Sequence, residues 1–299
     1  MRAWVVDAFA DARHQGNPAA VIPVSGEFPG SRRMQEIAAG LALPTTAFVV
    51  SVTEAEHRIR WFTPKAELGI CGHATIATAR YLHDVAGADP AAGLTFRTAS
   101  GPLYTRRRGD RIAIDLPRSD TVRCAPPPGL ADLLGARVLH CQRASDDLLV
   151  ELESQRAVAA LTPDFAGLAR IDCRGHVVTA RADEAETDFV SRSFFPALGV
   201  NEDQVCVSAH CKLAPYWRSI VGKDRMAATQ LSERGGRLEV EVAGDRVLVS
   251  GTARLRTTTL TAARPCHPES PSVLDSAPEG ARDGSDRDRQ RTPLADGTR

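Results

Sequence analysis

Cys71 and Cys206 are the residues whose surroundings would give a thiol work to do. Each opens a helical pattern: Ile70-Cys71-Gly72-His73-Ala74-Thr75 leads into one through about Tyr81, and Val205-Cys206-Val207-Ser208-Ala209-His210 leads into another. At a helix start, unpaired N–H groups and the helix dipole favour negative charge, so a thiol there ionises more readily and a carboxylate is attracted. Two thiols on opposite faces of one carbon suit proton abstraction and redelivery, one acting as thiolate base and the other as thiol acid. The product is the mirror configuration, or a shifted double bond if the proton returns elsewhere. No metal or organic cofactor is required. A single cysteine at a helix start is more often buried and inert, and it is the pairing that favours chemistry. His73, His210 and Asp203, each taken alone, read more often as structural residues than as site residues. His210 lies four residues after its cysteine and His73 two after its own, so the histidines are not repeat equivalents.

The pairing rests on an internal repeat. Arg60-Trp61-Phe62-Thr63-Pro64 is echoed by Arg192-Ser193-Phe194-Phe195-Pro196, and Gly109-Asp110 by Gly244-Asp245. The offset from cysteine to glycine is 38 in both halves, while the arginine and proline cues are displaced by 132 rather than 135, which a three-residue loop difference explains. Gly-Asp between alternating runs marks tight hairpins, and Ser100-Gly101 and Gly235-Gly236 mark further turns. Each half therefore ends in an antiparallel meander and carries a helix that starts at its cysteine. Met34–Leu41 reads as an amphipathic helix, and Thr162-Pro163-Asp164 as a helix start with proline in the first turn. Helices mixed with mainly antiparallel strands give an α+β chain. Its expected architecture is two pseudo-symmetric lobes, residues 1–118 and 119–262, with the last strand free to return to the first lobe.

Composition sets the outer bounds. The chain has 299 residues, formal net charge zero, 43% hydrophobic and 25% charged residues, as in ordinary globular proteins. A neutral balance leaves no electrostatic footprint for nucleic acid or an acidic membrane. No signal peptide and no spanning segment is read, so a cytoplasmic location is the default. Seven cysteines with no C-x-x-C pair argue against a disulfide framework and a structural zinc site. From about Arg264 to Arg299 the chain turns to Pro, Ser, Asp, Arg and Gly, which reads as a disordered tail over 264–299.

At these residues the chain resembles the PhzF-like family of phenazine-biosynthesis isomerases, which share the diaminopimelate epimerase-like fold. The likeness covers nearly the whole body. It runs through Asp7-Ala8-Phe9, Gly16-Asn17-Pro18-Ala19-Ala20-Val21, Thr46-Ala47-Phe48-Val49, Glu67-Leu68, Cys71-Gly72-His73-Ala74-Thr75 and Ser100-Gly101-Pro102-Leu103. In the second half it adds Asp188-Phe189-Val190-Ser191-Arg192, Asn201-Glu202-Asp203, Ser208-Ala209-His210-Cys211, Gln230 and Arg234-Gly235-Gly236. The resemblance implies two lobes, each a β-barrel-like sheet around a central helix, with the site between them, and a homodimer acting on a small-molecule carboxylate or amino acid. It matches His73 and Asp203 to the family's acid–base histidine and aspartate. The family's glutamate is replaced: Thr45 stands just before Thr46-Ala47-Phe48-Val49, and threonine is no carboxylate base. In the second motif Gln204, Cys206 and Val207 stand where Pro, Thr and Gly are usual. That threonine corresponds to the second catalytic cysteine of the epimerase relatives, so the chain resembles a two-thiol epimerase in a PhzF-like body.

The leading expectation is thus a cofactor-independent amino-acid racemase or epimerase with Cys71 and Cys206 as acid–base pair and His73 and Asp203 assisting. Asn17, Thr45, Gly72, Val207, Ser208 and Ala209 would surround the substrate, and no metal is involved. Val207 removes a glycine that would let substrate approach the backbone and so constrains the pocket. Two alternatives stay open: a double-bond isomerase of the trans-2,3-dihydro-3-hydroxyanthranilate type using His73 and Asp203, and a non-catalytic small-molecule binding homologue.

Overall fold

The computed structural model describes residues 1–261. The first half runs β1 (Arg2–Ala8), β2 (Asn17–Pro23), α1 (Ser31–Leu41), β3 (Thr45–Ser51), β4 (Glu56–Phe62), the short β5 (Glu67–Leu68), α2 (Gly72–Asp84), β6 (Leu94–Thr98), β7 (Gly101–Arg108) and β8 (Arg111–Pro117). Next come β9 (Val122–Arg123), α3 (Leu130–Leu134), β10 (Val138–Ala144), β11 (Asp147–Leu152), α4 (Gln155–Ala159), α5 (Phe165–Leu168), β12 (Gly175–Arg181) and β13 (Phe189–Phe195). The chain continues through β14 (Val200–Asp203), α6 (Val207–Val221), β15 (Arg225–Gln230), β16 (Gly236–Ala243) and the long β17 (Arg246–Thr261).

Eight strands close into a barrel in the order β1, β2, β3, β4, β6, β7, β8, β17, and β17 returns to β1 with Ala253 opposite Ala8. The second half repeats the pattern through β10, β11, β12, β13, β15, β16 and the start of β17. The parallel steps fall at matching places, β2–β3 and β4–β6 in one half and β11–β12 and β13–β15 in the other. This is the α+β class that the repeat calls for and the two-lobed, barrel-around-a-helix architecture that the resemblance implies. Strands β8 and β17, the last of each meander, pair with one another, Ile114 opposite Val249. Beyond that shared stretch each chain segment crosses over: β17 pairs with β1, while the connection after β8 leads to β9, which pairs with β10. Strand β17 of the second half thus closes the first barrel, β8 of the first half extends the second sheet beside β17, and β9 covers the edge of β10.

The strands follow from side-chain alternation, as in β16, where buried and partly exposed residues alternate from Gly236 to Val242. Helix α2 is buried almost all round from His73 to Leu82, which its alanines at 74, 77 and 79 permit inside a narrow barrel. It extends to Asp84, three residues past the expected end at Tyr81. Helix α6 packs on β16 and β17. Its Trp217 stacks on Phe189 at 5.7 Å and donates Nε1–H to Thr179 Oγ1 at 2.9 Å. Burying one such large side chain is worth about 1.5–3 kcal/mol.

Pro215 lies inside α6. A proline has no N–H, so the carbonyl four residues back loses its helical partner. That carbonyl belongs to Cys211, and it accepts from the Ser119 N–H at 3.2 Å. The connection between the halves is thus docked on the gap the proline opens. Two local expectations shift. Helix α1 begins at Ser31, a turn earlier than Met34. Pro163 precedes α5 rather than entering its first turn, because Asp164 is the N-cap, its side chain accepting from Gly167 N–H at 3.0 Å. The tail expected over 264–299 lies outside the described residues.

Candidate active site

Cys71 is the N-cap of α2 and Cys206 the N-cap of α6, with φ and ψ of −149° and 101° in the first and −98° and 104° in the second. This extended conformation is what a chain entering a helix needs. Both thiols are buried, at 7% and 5% exposure. The two helix starts abut. A Cβ on Gly72 would lie 2.5 Å from Val207 Cβ and 2.6 and 2.8 Å from its two methyl carbons. Gly72 is therefore a glycine because Val207 occupies the space in front of it. Cys71, Cys206 and Val207 consequently belong to one apolar core shared by both halves.

The two thiols have different companions. Cys71 Sγ is 3.5 Å from His73 Nδ1 and 3.7 Å from Thr45 Oγ1. Thr45, at the start of β3, thus faces the first thiol. Cys206 Sγ is 3.4 Å from Ser208 Oγ, and its backbone N–H donates to Gln230 Oε1 at 2.9 Å. Asp203 is held from the first half: Asn17 Nδ2 donates to Asp203 Oδ1 at 2.7 Å and to the Val205 carbonyl at 3.2 Å. Gln230 Nε2 donates to the Asp203 carbonyl at 2.5 Å. Val207 and Ala209 are buried in the first turn of α6, with Ser208 half-buried between them.

These surroundings raise the proton affinities of His73 and of Cys206. Burial alone would lower the His73 pKa, but Cys71 beside it and Asp203 together outweigh that, and the imidazole ends above its ordinary value. Burial pushes the Cys206 thiol up and Asp203 adds to this, against smaller opposing effects from Ser208, the Ala209 amide and Arg174. Cys206 is thereby kept protonated, while Cys71 has a base at contact distance. His210 serves differently. Its Nδ1 faces the Cys206 carbonyl at 2.7 Å, so that nitrogen carries the proton, and burial pushes its pKa down to about 4. It is a neutral brace for the cap.

Two neighbours were not legible as site residues. Gln230 appears in the resemblance, yet only the fold brings it to Cys206 and Asp203. Arg174, just before β12, acts on Cys206 electrostatically, and nothing in its spacing signals this. Among the described residues no group of three or more His, Cys, Asp or Glu could hold a metal ion, and no helix is long and apolar enough to cross a membrane.

Paired barrels around central helices define the diaminopimelate epimerase-like fold. It is shared at the level of fold alone with a probable proline racemase from Agrobacterium radiobacter, at TM-score 0.59 and 12% identity over 90% of this chain and 94% of that one. Within that fold, the chain belongs to the phenazine biosynthesis-like protein family, which it matches over residues 6–258. An uncharacterized isomerase of Pseudomonas aeruginosa is 48% identical over 251 residues, 84% of this chain and 94% of the relative. The crystal structure of a PhzF-family phenazine biosynthesis protein from Enterococcus faecalis superposes with TM-score 0.80 at 39% identity, covering 87% of this chain and 98% of that one.

Proposed function

We propose that the chain is a cofactor-independent isomerase, and specifically a racemase or epimerase of an amino acid or similar small carboxylate, with Cys71 and Cys206 as its acid–base pair. The observation that carries this reading is the contact of Gly72 with Val207, which brings two thiol-capped helix starts to one junction. The first N–H groups of α2 and α6 have no partner within their helices and suit a carboxylate. His73 takes the Cys71 proton, and the Cys71 thiolate removes hydrogen from the substrate's α-carbon. The Cys206 thiol returns a proton on the opposite face. A Cys206 thiol that burial holds protonated suits the acid role, and an imidazole 3.5 Å from Cys71 suits the base role.

The membership of the family and the isomerase names of its relatives support the broader reading. The test is α-hydrogen exchange in deuterated water, read by mass over a panel of amino acids and hydroxy-acid analogues. Cys71→Ser and Cys206→Ser should each cut exchange by about 100-fold or more. One observation favours a second reading: His73 lies in the field of Asp203, the pair a double-bond isomerase would use. Exchange that survives both serine variants but is lost in His73→Ala or Asp203→Asn would select it. Ligand binding with no exchange across the panel would point to a binding protein instead.

A further inference from the structure

Outside the central junction, two thiols stand opposite each other on adjacent strands. The β9–β10 pairing sets Val122 against Arg143 and Arg123 against Gln142, so the next pair in register is Cys124 and Cys141. The Cys124 N–H donates to the Cys141 carbonyl at 3.0 Å, and the sulfurs are 3.7 Å apart. Directly opposed residues in a hydrogen-bonded antiparallel pair have Cα atoms about 5.5 Å apart, inside the roughly 4.4–6.8 Å that a disulfide spans. Side-chain rotation alone can bring these sulfurs to bonding distance. Cys124 is half-buried and Cys141 buried, and both line an open groove of about 450 Å³ that also holds Arg123, Pro126 and His140.

We propose that Cys124 and Cys141 form a redox-responsive dithiol that a peroxide closes to a disulfide. The Cys124 sulfur, the more exposed, attacks one peroxide oxygen. The O–O bond breaks, Cys124 becomes a sulfenic acid, and the other oxygen leaves as alcohol or water with the thiol's proton. The Cys141 sulfur then attacks the sulfenic sulfur. The S–S bond forms, the S–O bond breaks, and hydroxide leaves as water with the Cys141 proton. Two thiols lose two electrons and the peroxide gains them.

The location gives the bond a consequence. The segment before β9 joins the two halves and is already tied at Arg118 N–H to the Asp245 carbonyl (2.9 Å), at Ser119 N–H to the Cys211 carbonyl of α6 (3.2 Å) and at Thr121 Oγ1–H to Gln142 Oε1 (2.5 Å). A disulfide would lock that connection onto β10 covalently.

The full-length chain is treated with hydrogen peroxide, remaining thiols are alkylated, and tryptic peptides are mapped by mass. The expected product links peptides 124–137 and 138–143, lighter than their sum by two hydrogens. Cys173→Ser should leave it unchanged. Cys141→Ala should stop oxidation at a Cys124 sulfenic acid, trapped by dimedone, with the far-ultraviolet circular dichroism of the parent. Recovery of both cysteines fully alkylated at peroxide levels that oxidise other thiols of the chain would overturn the proposal, as would a bond from either one to a different cysteine.

Discussion

The side chain of Val207 fills the space that any side chain on Gly72 would need, and this contact between the first residues of α2 and α6 is where the two halves touch at the site. Gly72→Ala should therefore destabilise the protein by about 1–3 kcal/mol through overpacking. In a Val207→Gly background the same change should cost clearly less, because the three atoms nearest the position all belong to Val207. Urea denaturation of the four proteins in a double-mutant cycle measures the coupling. Additive effects would mean that the helix starts do not meet.

Stability should fall as pH drops from about 6.5 towards 4. Burial pushes the pKa values of His210 and His176 down to about 4, so the folded chain binds fewer protons there than the unfolded chain. Each group loses up to about 1.4 kcal/mol per pH unit across that window and contributes no slope above it. His73 works in the opposite sense. Its pKa is raised in the folded state, so its contribution is present below its unfolded value and fades as pH rises. His210→Asn, which can keep a donor to the Cys206 carbonyl, should flatten the acid slope by about one proton in denaturation curves taken from pH 7.5 to 4.5.

Asp147 is fully buried and holds two cations, Lys212 of α6 and Arg174, whose Nε donates to Asp147 Oδ1 at 2.9 Å. Asp147→Asn takes the contact counter-charge from the buried Lys212 ammonium, leaving only the more exposed Asp146 at 4.0 Å, and should cost about 3–5 kcal/mol. Lys212→Met in the same chain should recover part of that loss, as thermal unfolding would register. Because Arg174 acts on Cys206, the single variant should also alter exchange activity.

Asn17→Ala removes the side-chain donor from the first half to Asp203 and to the Val205 carbonyl. The expected result is a loss of about 1–3 kcal/mol, the cost of leaving a buried polar partner unsatisfied, together with lower exchange at saturating substrate. Unchanged exchange with lowered stability would make Asn17 a purely structural tie.

Much of this molecule was readable along the chain. Hairpin glycines, the repeated cysteine-to-glycine offset and the strand alternation are local signals, because turn geometry and side-chain period act over a few residues. They fixed the α+β class, the duplication and the two cysteines as helix starts. Thr45 and Val207 could be seen as departures from the family pattern by reading positions alone. What those departures touch could not. That Thr45 faces Cys71, that Val207 explains Gly72, that Gln230 binds the Cys206 amide, that Arg174 lies within the electrostatic reach of Cys206, and that a carbonyl freed by Pro215 anchors the join at Ser119 all depend on residues tens to more than a hundred positions apart. Their proximity is decided by barrel closure and by the crossing of β8 and β17, where register and burial are satisfied together over the whole fold. The proton affinities follow the same division: a thiol's type is written in the sequence, but its desolvation and its charged neighbours exist only once the barrels close around it.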